Sequence, residues 1–281
     1  MVLTPRNHDR DAAGMTYVYP VVSRRAQGVS VGVNLNPNNA CNWRCIYCQV
    51  PNLARGGPPP LDLAQLEDEL RRMLAWIVRG DFLVTQAPEG LRRLNDVALS
   101  GNGEPTSAAE FPRVVSLMER VLDDFGLLGD IKQVLITNGS LAGKDRVQEG
   151  IRAMARGNGE VWFKFDRATR AGLRLVNDTE TDPERHFRHL ETVANLCPTW
   201  IQTCMFALDG HAPDAGELDA YLALLQRARA RVPALRGVLL YGLARPSLQP
   251  EAPRLSALTP AWMADLAEKI GALGLTVSVS P

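Results

Sequence analysis

The sequence lacks a long apolar run, an excess of charge of either sign and a leader-like N-terminus. Of its 281 residues, 31 are Lys or Arg and 31 are Asp or Glu, so no global field attracts nucleic acid or an anionic membrane. No stretch approaches the ~18 apolar residues that a membrane span needs, and residues 1–14 contain no apolar signal-peptide core. We therefore expect a cytosolic protein without membrane contact.

Cysteine is also scarce, with five residues in all, but three of the five lie within CNWRCIYC, residues 41–48. A reducing cytosol disfavours structural disulfides, so this cluster indicates a metal site or reactive thiols. Cys41, Cys45 and Cys48 have the spacing C-x3-C-x2-C, with no fourth Cys or His nearby. Structural zinc takes four ligands, whereas three thiolates on an iron–sulfur cubane leave one iron open for chemistry. Zinc and three simply buried thiols remain alternatives.

Strand-like runs alternate with helix-like runs along the rest of the chain. The strand segments are 29–36, 96–106 (running into a Gly-rich loop), 133–140, 160–166, 199–208, 237–245 and a short 275–280. The first helix is predicted to have Asp62 as its N-cap and to end at Gly80, and later helices open at Asp182 and Thr259, each followed by Pro. Six βα units with apolar strands predict a parallel sheet buried on both faces, with ligands at the carboxyl ends of the strands.

The number of units limits the architecture. Six are too few for a closed eight-stranded barrel, so a partial barrel and an open doubly wound sheet both remain. No linker divides the chain, and we expect one domain over 29–281, preceded by an extension over 1–28 that closes or flanks it.

With the C-x3-C-x2-C loop directly after the first strand and Tyr47 before the last cysteine, the sequence resembles the radical SAM enzymes. The motifs keep the family's order from residue 29 to about 245. The resemblance implies an α/β fold with a partial (βα)6 TIM-like barrel and a 4Fe-4S cluster on Cys41, Cys45 and Cys48. In that family the open iron binds S-adenosylmethionine (SAM). The reduced cluster cleaves SAM to methionine and a 5′-deoxyadenosyl radical, which abstracts a hydrogen atom. An external electron donor such as flavodoxin or ferredoxin is implied too.

The resemblance also implies a set of SAM contacts. In the loop SGNGEPT, Gly101 and Gly103 would permit close backbone approach, and Glu104 would accept from an ammonium. The plain alternative is a Gly-Pro turn with an exposed Glu. The expected contacts are Tyr47, Gly103, Glu104, Pro105, Thr137, Asn138, Lys164 and Asp166.

Two pairs in that set have alternatives of their own. Thr137 and Asn138 precede Gly139, and Asn-Gly is also simply a good turn. Lys164 and Asp166 lie at alternate positions of one strand and so share a face, where a Lys–Asp ion pair beyond the barrel rim is the alternative.

Candidate catalytic residues are Gln202 and Cys204 on the fifth strand and Arg245 after the sixth. A packed thiol is the plain alternative for Cys204, and an Arg that caps a strand end is the alternative for Arg245. In the N-terminal extension, Tyr17, Tyr19, Arg24 and Arg25 would close the open side of the barrel or touch substrate, although adjacent arginines are usually solvated surface.

The substrate is left open. The GEPT and TNGS segments look similar to those of wyosine-forming tRNA enzymes, molybdopterin-precursor enzymes and glycyl-radical activases. Balanced charge disfavours a large RNA footprint, which favours a small or nucleotide-like substrate. Non-enzymatic alternatives are an iron–sulfur or zinc sensor and a degenerate SAM-binding barrel that scaffolds a partner. Retention of all three cysteines together with GEPT argues against the scaffold.

Overall fold

A computed structural model describes residue 3 and residues 13–23 and 28–280. The strands are β1 (Val18–Ser23), β2 (Gly28–Val33), β3 (Ala40–Cys41), β4 (Ala54–Arg55), β5 (Leu94–Leu99), β6 (Lys132–Thr137), β7 (Gly159–Lys164), β8 (Thr199–Cys204), β9 (Ala207–Leu208), β10 (Leu235–Tyr241), β11 (Leu255–Ser256) and β12 (Val277–Ser280). The α-helices are α1 (Leu63–Arg79), α2 (Phe82–Gln86), α3 (Phe111–Asp124), α4 (Asp145–Arg156), α5 (Arg170–Asn177), α6 (Pro183–Ala194), α7 (Ala215–Arg231) and α8 (Pro260–Ala272).

The chain packs as two compact units whose segments alternate along the sequence. The first consists of Met1–Asn42, Gly56–Ile136 and Lys144–Glu160, and the second of Trp43–Arg55, Thr137–Gly143 and Val161–Pro281.

In the first unit β1 runs antiparallel to β2, and β2, β5 and β6 follow one another in parallel. Strand β2 is buried along its whole length, which agrees with its apolar sequence. Helices α1, α3 and α4 each turn an apolar face inward. On α3 the buried residues include Val114, Met118 and Val121, three of those predicted from the periodicity.

In the second unit β7, β8, β10 and β12 are all parallel and follow one another in that order. The N-caps predicted at Asp62, Asp182 and Thr259 are confirmed in the two units, since each side chain accepts a backbone N–H of the following turn. Helix α5 is an addition that the sequence pattern did not predict.

The N-terminal extension contributes β1, also not predicted as a strand. The buried carboxylate of Glu69 on α1 accepts the N–H groups of Thr16, Tyr17 and Val18 at 2.9, 2.7 and 3.2 Å, and so fixes where β1 begins. Tyr17 and Tyr19 are themselves buried. Arg24 and Arg25 lie outside the described residues.

Within the part of the chain that the structure describes, no helix combines the length and the apolar character that crossing a membrane requires.

Candidate functional site

The segment that leads into Cys41 is held by asparagine side chains of the first unit. Oδ1 of Asn34 accepts the N–H groups of Asn36 and Asn102, each at 3.0 Å. The amide of Asn36 donates to the carbonyl of Ala40 at 2.9 Å. These bonds join the residues after β2 to the Gly-rich loop after β5, and they set the backbone that presents Cys41.

Two glycines permit this close approach. A Cβ on Gly103 would lie 2.1 Å from the carbonyl oxygen of Ala40, and one on Gly101 would lie 2.4 Å from Oδ1 of Asn34. Gly101 also has φ of +141°, a conformation that favours glycine. The loop SGNGEPT therefore lies against the chain directly before Cys41, and any side chain at Gly103 would push the two apart.

Glu104 is buried, with 2% of its surface exposed, so the alternative of an exposed Glu in an ordinary turn is wrong. Its Oε1 accepts the N–H of Thr106 at 3.1 Å and the hydroxyl of Thr106 at 2.6 Å. Pro105 begins the 3-10 turn Pro105–Ser107 that Glu104 caps. The carboxylate thus fixes the shape of the GEP loop from inside.

Cys45 lies in the second unit, beside the end of α5. Nδ2 of Asn177 lies 3.2 Å from Sγ of Cys45 and donates to it. Burial raises the pKa of the Cys45 thiol to about 12, and Lys164 opposes that shift without cancelling it. A thiolate at this position therefore needs a strong positive partner such as a bound metal, which deprotonates a coordinating thiol.

Both neighbours of Cys45 are bound to the last turn of α5. The N–H of Arg44 donates to the carbonyl of Asn177 at 3.3 Å, and that of Ile46 to the carbonyl of Val176 at 2.9 Å. These bonds satisfy helix-end carbonyls that have no partner inside the helix. The cysteine loop and the helix end therefore stabilise one another.

The Arg44 side chain adds an ion-pair network. Its Nε donates to Asp178 at 2.9 Å, and its two terminal nitrogens donate to Glu251 at 3.0 and 2.8 Å. Hydrogen bonds to both carboxylates raise the pKa of Arg44, so the guanidinium stays charged. Planar, bidentate contacts of this kind fix an orientation as well as a charge.

The other end of the loop is bound to the segment after β10. The hydroxyl of Ser247 donates to the carbonyls of Ile46 and Cys48 at 2.7 and 3.1 Å, and the N–H of Leu248 donates to the carbonyl of Cys48 at 2.9 Å. The N–H of Cys48 donates back to the carbonyl of Cys45 at 2.9 Å. Cys45 and Cys48 thus lie on one tight turn supported on both sides.

Asp166 is fully buried and accepts three hydrogen bonds. Oδ2 accepts from the hydroxyl of Tyr47 at 2.5 Å and from the amide of Asn177 at 2.7 Å, while Oδ1 accepts from the N–H of Cys204 at 2.9 Å. Burial, and then the Asp166 charge, raise the pKa of Tyr47 well above its usual value. The residue predicted to contact SAM therefore holds the cysteine loop through Tyr47.

Lys164 is the last residue of β7, two positions before Asp166, with its Nζ 3.9 Å from Oδ2 of Asp166 and 3.1 Å from the hydroxyl of Tyr241, to which it donates. Its side chain is 17% exposed, so the pair is largely buried. Burial alone would lower the pKa of Lys164, but Asp166 and Tyr241 outweigh it and raise that pKa. Lys164 therefore remains an ammonium at neutral pH.

Thr137 and Asn138 use their side chains within their own turn. Oγ1 of Thr137 accepts the N–H of Gly139 at 2.9 Å, and Oδ1 of Asn138 accepts the N–H of Ser140 at 3.0 Å. Gly139 has φ of +67°, and a Cβ there would meet the Phe163 ring at 2.1 Å. The Asn-Gly turn interpretation therefore describes the side chains of both residues.

The candidate catalytic residues lie in different surroundings. Gln202 is buried, and its Oε1 has no hydrogen-bond partner within the described residues. Cys204 is buried in an apolar cluster with Ile46, Val176 and Phe206, and burial raises its thiol pKa. These surroundings match a packed thiol. Arg245 is half-buried and its carbonyl accepts from Gln49 at 3.4 Å.

Among the described residues, no three His, Cys, Asp or Glu side chains form a ready-made group that could hold a metal ion. Cys41 belongs to the first unit, and Cys45 and Cys48 to the second. All three are half-buried thiols. Their donor chemistry suits an iron–sulfur cluster, and the shared ligation by all three stays a prediction from the sequence.

Sequence reasoning missed several residues that build these surroundings, namely Asn34, Asn36, Arg44, Asn177, Tyr241 and Ser247. Asn34 and Asn36 had a local signal, because they lie at alternate positions directly after a strand and before the first cysteine. Asn177 had none, since it lies 132 positions from the cysteine that it contacts.

No family model matches the sequence. Among curated proteins, the GTPase Obg of Brachyspira hyodysenteriae is 26% identical over 135 residues, which is 47% of this chain and 17% of that protein. The matched region therefore spans less than a fifth of that relative, and its GTPase activity is a property of that protein.

Solved structures of radical SAM proteins resemble the chain more extensively. A radical SAM methyltransferase from Sphaerobacter thermophilus has a TM-score of 0.59 at 13% identity, covering 93% of this chain and 68% of that one. The structure of TYW1 with a lysine-pyruvate adduct bound has a TM-score of 0.56 at 15% identity, and the match covers 88% of this chain and 74% of that one. The structure of Streptococcus suis SuiB bound to S-adenosylmethionine has a TM-score of 0.51 at 10% identity, and the match covers 89% of this chain and 45% of that one. At such identities the likeness establishes the fold. The prediction of an α/β fold with a partial (βα)6 TIM-like barrel is confirmed.

Proposed function

We propose that this chain is a radical SAM enzyme in which Cys41, Cys45 and Cys48 hold one 4Fe-4S cluster. The supporting observation is the approach of Gly103 to the carbonyl of Ala40, next to Cys41, where a Cβ would lie 2.1 Å from that oxygen. The missing side chain lets the GEP loop pack directly against the backbone beside the cysteine motif, so that the two motifs lie side by side. The proposal combines this contact with the fold and with the C-x3-C-x2-C spacing.

When bound and reduced by an external one-electron donor, such a cluster would cleave SAM to methionine and a 5′-deoxyadenosyl radical, which abstracts a hydrogen atom from the substrate. The chain's own contribution is to bind the cluster, to orient SAM and substrate beside it, and to exclude water. The hydrogen bonds from Arg44, Ile46 and Ser247 hold the cysteine loop from two sides.

For SAM we propose contacts from the residues Tyr47, Gly103, Glu104, Pro105, Thr137, Asn138, Lys164 and Asp166. Side-chain oxygens of Glu104, Thr137 and Asn138 already accept hydrogen bonds from the backbone of their own turns. The backbone of these loops is therefore the better partner for the polar groups of SAM. Lys164 is a charged, largely buried ammonium and suits a carboxylate.

For the substrate we propose a small or nucleotide-like molecule. Balanced overall charge supports this choice, because a large RNA footprint needs many cationic contacts. A flavodoxin or ferredoxin is the proposed electron donor, and a cytosolic location goes with it. Gln202, with its buried and unpartnered Oε1, is the proposed residue for a polar contact to SAM or substrate.

The test is anaerobic reconstitution with iron and sulfide, followed by dithionite and SAM, with 5′-deoxyadenosine as the measured product. We expect wild type to show iron–sulfur absorbance and to form deoxyadenosine. A Cys41/Cys45/Cys48→Ala variant should lose both, whereas Cys197→Ala, which removes a buried thiol elsewhere, should keep both.

Stoichiometric zinc without iron–sulfur absorbance would overturn the enzyme proposal. A stable cluster that never cleaves SAM under these reducing conditions would point instead to a sensor.

A further inference from the structure

We infer that Asn177 is a positioning residue for the cluster: its side-chain amide donates to the sulfur of Cys45 and raises the reduction potential. This inference rests on the proposed function, because it concerns a cluster held by Cys45. Asn177 is neither a cysteine nor a charged residue, and it lies outside the sequence motifs described above.

The geometry places Asn177 between the sulfur and a carboxylate. Its Nδ2 lies 3.2 Å from Sγ of Cys45 and 2.7 Å from Oδ2 of Asp166. The residue has no exposed surface, so water does not compete for either contact. An amide nitrogen carries two hydrogens, which is the number that these two acceptors need.

Asp166 decides which way the amide faces. A side-chain amide can present either nitrogen or oxygen, but an ionised carboxylate accepts and cannot donate. With Oδ2 of Asp166 at 2.7 Å, the nitrogen must face the carboxylate, and the same nitrogen then reaches Cys45. Oδ1 of Asn177 is left buried and without a hydrogen-bond partner within the described chain. Burying an acceptor without a partner costs free energy, so the two contacts of the nitrogen must offset that cost.

The backbone fixes the separation between the two residues. Asn177 is the last residue of α5, and the next residue, Asp178, leaves the helix with φ of +47°. The amides on either side of Cys45 bind the last two carbonyls of this helix. Asn177 and Cys45 are therefore held together by main-chain bonds that do not depend on the side-chain contact. Removing the amide should leave Cys45 in place.

The effect on the cluster follows from charge. Reduction adds one electron to the cluster and its thiolates, and a hydrogen-bond donor to a ligand sulfur stabilises that added negative charge. Loss of the Asn177 donor should therefore make reduction harder. We expect about a tenfold change in the one-electron equilibrium, which corresponds to a shift of about 60 mV to more negative potential.

The experiment measures the reduction potential of the cluster by anaerobic redox titration, without SAM or substrate. The electron paramagnetic resonance signal of the reduced cluster monitors the titration. Asn177→Leu removes the donor at similar volume, and Asn177→Ala is the second variant if Asn177→Leu assembles no cluster. Val176→Ala is the matched control, because it disturbs the apolar packing of the same helix turn, beside Cys45, and leaves the Asn177 donor in place.

We expect a more negative potential in the Asn177 variant and an unchanged potential in Val176→Ala. Equal potentials in wild type and the Asn177 variants would overturn this inference while leaving the proposed function intact. An equal negative shift in Val176→Ala would also overturn it, since packing would then explain the change. Failure of wild type to assemble any iron–sulfur cluster would remove the proposed function, and this inference with it.

Discussion

The hydroxyl of Tyr47 donates to Oδ2 of the buried Asp166 at 2.5 Å, and so joins the cysteine loop to the segment that follows β7. Tyr47 lies between Cys45 and Cys48 in the sequence. Because an ionised carboxylate without exposed surface needs hydrogen bonds to replace water, each donor to Asp166 stabilises the folded chain. The aromatic residue before the last cysteine thus has a structural role of its own.

Tyr47→Phe should lower the free energy of unfolding by about 1–3 kcal/mol, because the ring stays while a donor to a buried carboxylate is lost. The measurement is urea unfolding of the reduced apoprotein. Tyr17→Phe is the control. The Tyr17 hydroxyl accepts a hydrogen bond from the N–H of Asp62, an exposed N-cap residue, and water can replace that hydroxyl as the acceptor. Equal losses in the two variants would mean that the Asp166 contact contributes nothing particular.

Gly103→Ala should both destabilise the chain and disturb Cys41. The new methyl would lie 2.1 Å from the carbonyl of Ala40, and overpacking of this kind typically costs about 1–3 kcal/mol. We expect less iron bound after reconstitution as well as a lower unfolding free energy. Gly57→Ala is the matched control, since nothing lies within 4 Å of its added Cβ. Normal iron content in Gly103→Ala would show that the GEP loop does not need this close approach.

The parts of the fold that the sequence predicted are those set by local chemistry. Asp62, Asp182 and Thr259 cap helices within three residues of themselves, so their signal is complete in a short window. Strand β1 and helix α5 were not predicted. The start of β1 depends on Glu69, about 50 positions away, and no short window contains that carboxylate.

The site shows the same division. The cysteine spacing and the two glycines of the SGNGEPT loop were visible in the sequence because they form compact motifs. Asp166 was predicted to contact SAM, but its hydrogen-bond partners lie 11, 38 and 119 positions away, and its bond to the cysteine loop could not be inferred from spacing. For Glu104 the sequence allowed the alternative of an exposed residue in a turn, and the packing of the folded chain shows that the residue is buried.

Glu69→Gln should loosen the start of β1. The carboxylate accepts three backbone N–H groups, and an amide in its place offers a single acceptor oxygen. We expect faster amide hydrogen exchange at residues 16–18 and a loss of about 1–3 kcal/mol in unfolding free energy. Asp68→Asn, on the exposed side of the same helix, should stay within about 0.5 kcal/mol of wild type. Unchanged exchange at residues 16–18 would contradict the assigned role of Glu69.

His186 should make the chain sensitive to acid. Its ring is fully buried against Trp43, Phe163 and Phe165, at centroid distances of 5.4, 4.9 and 4.3 Å. Its Nε2 lies 3.0 Å from the carbonyl of Lys164, so the neutral ring donates there. Burial lowers the pKa of His186 to about 4, from an ordinary value near 6.5.

Between pH 6.5 and 4 the unfolded chain therefore binds a proton that the folded chain refuses, so stability falls as the pH falls through that window. At pH 5 the contribution of this one group should be a loss of about 2 kcal/mol relative to pH 7.5. Urea unfolding at the two pH values measures it. His186→Gln should show a smaller loss on acidification than wild type, because the group that protonates only in the unfolded chain is gone. His211→Gln, at an exposed position, should keep the wild-type loss. If the His186 variant loses as much stability on acidification as wild type does, other groups set the acid sensitivity, and the ring is not held neutral as its surroundings indicate.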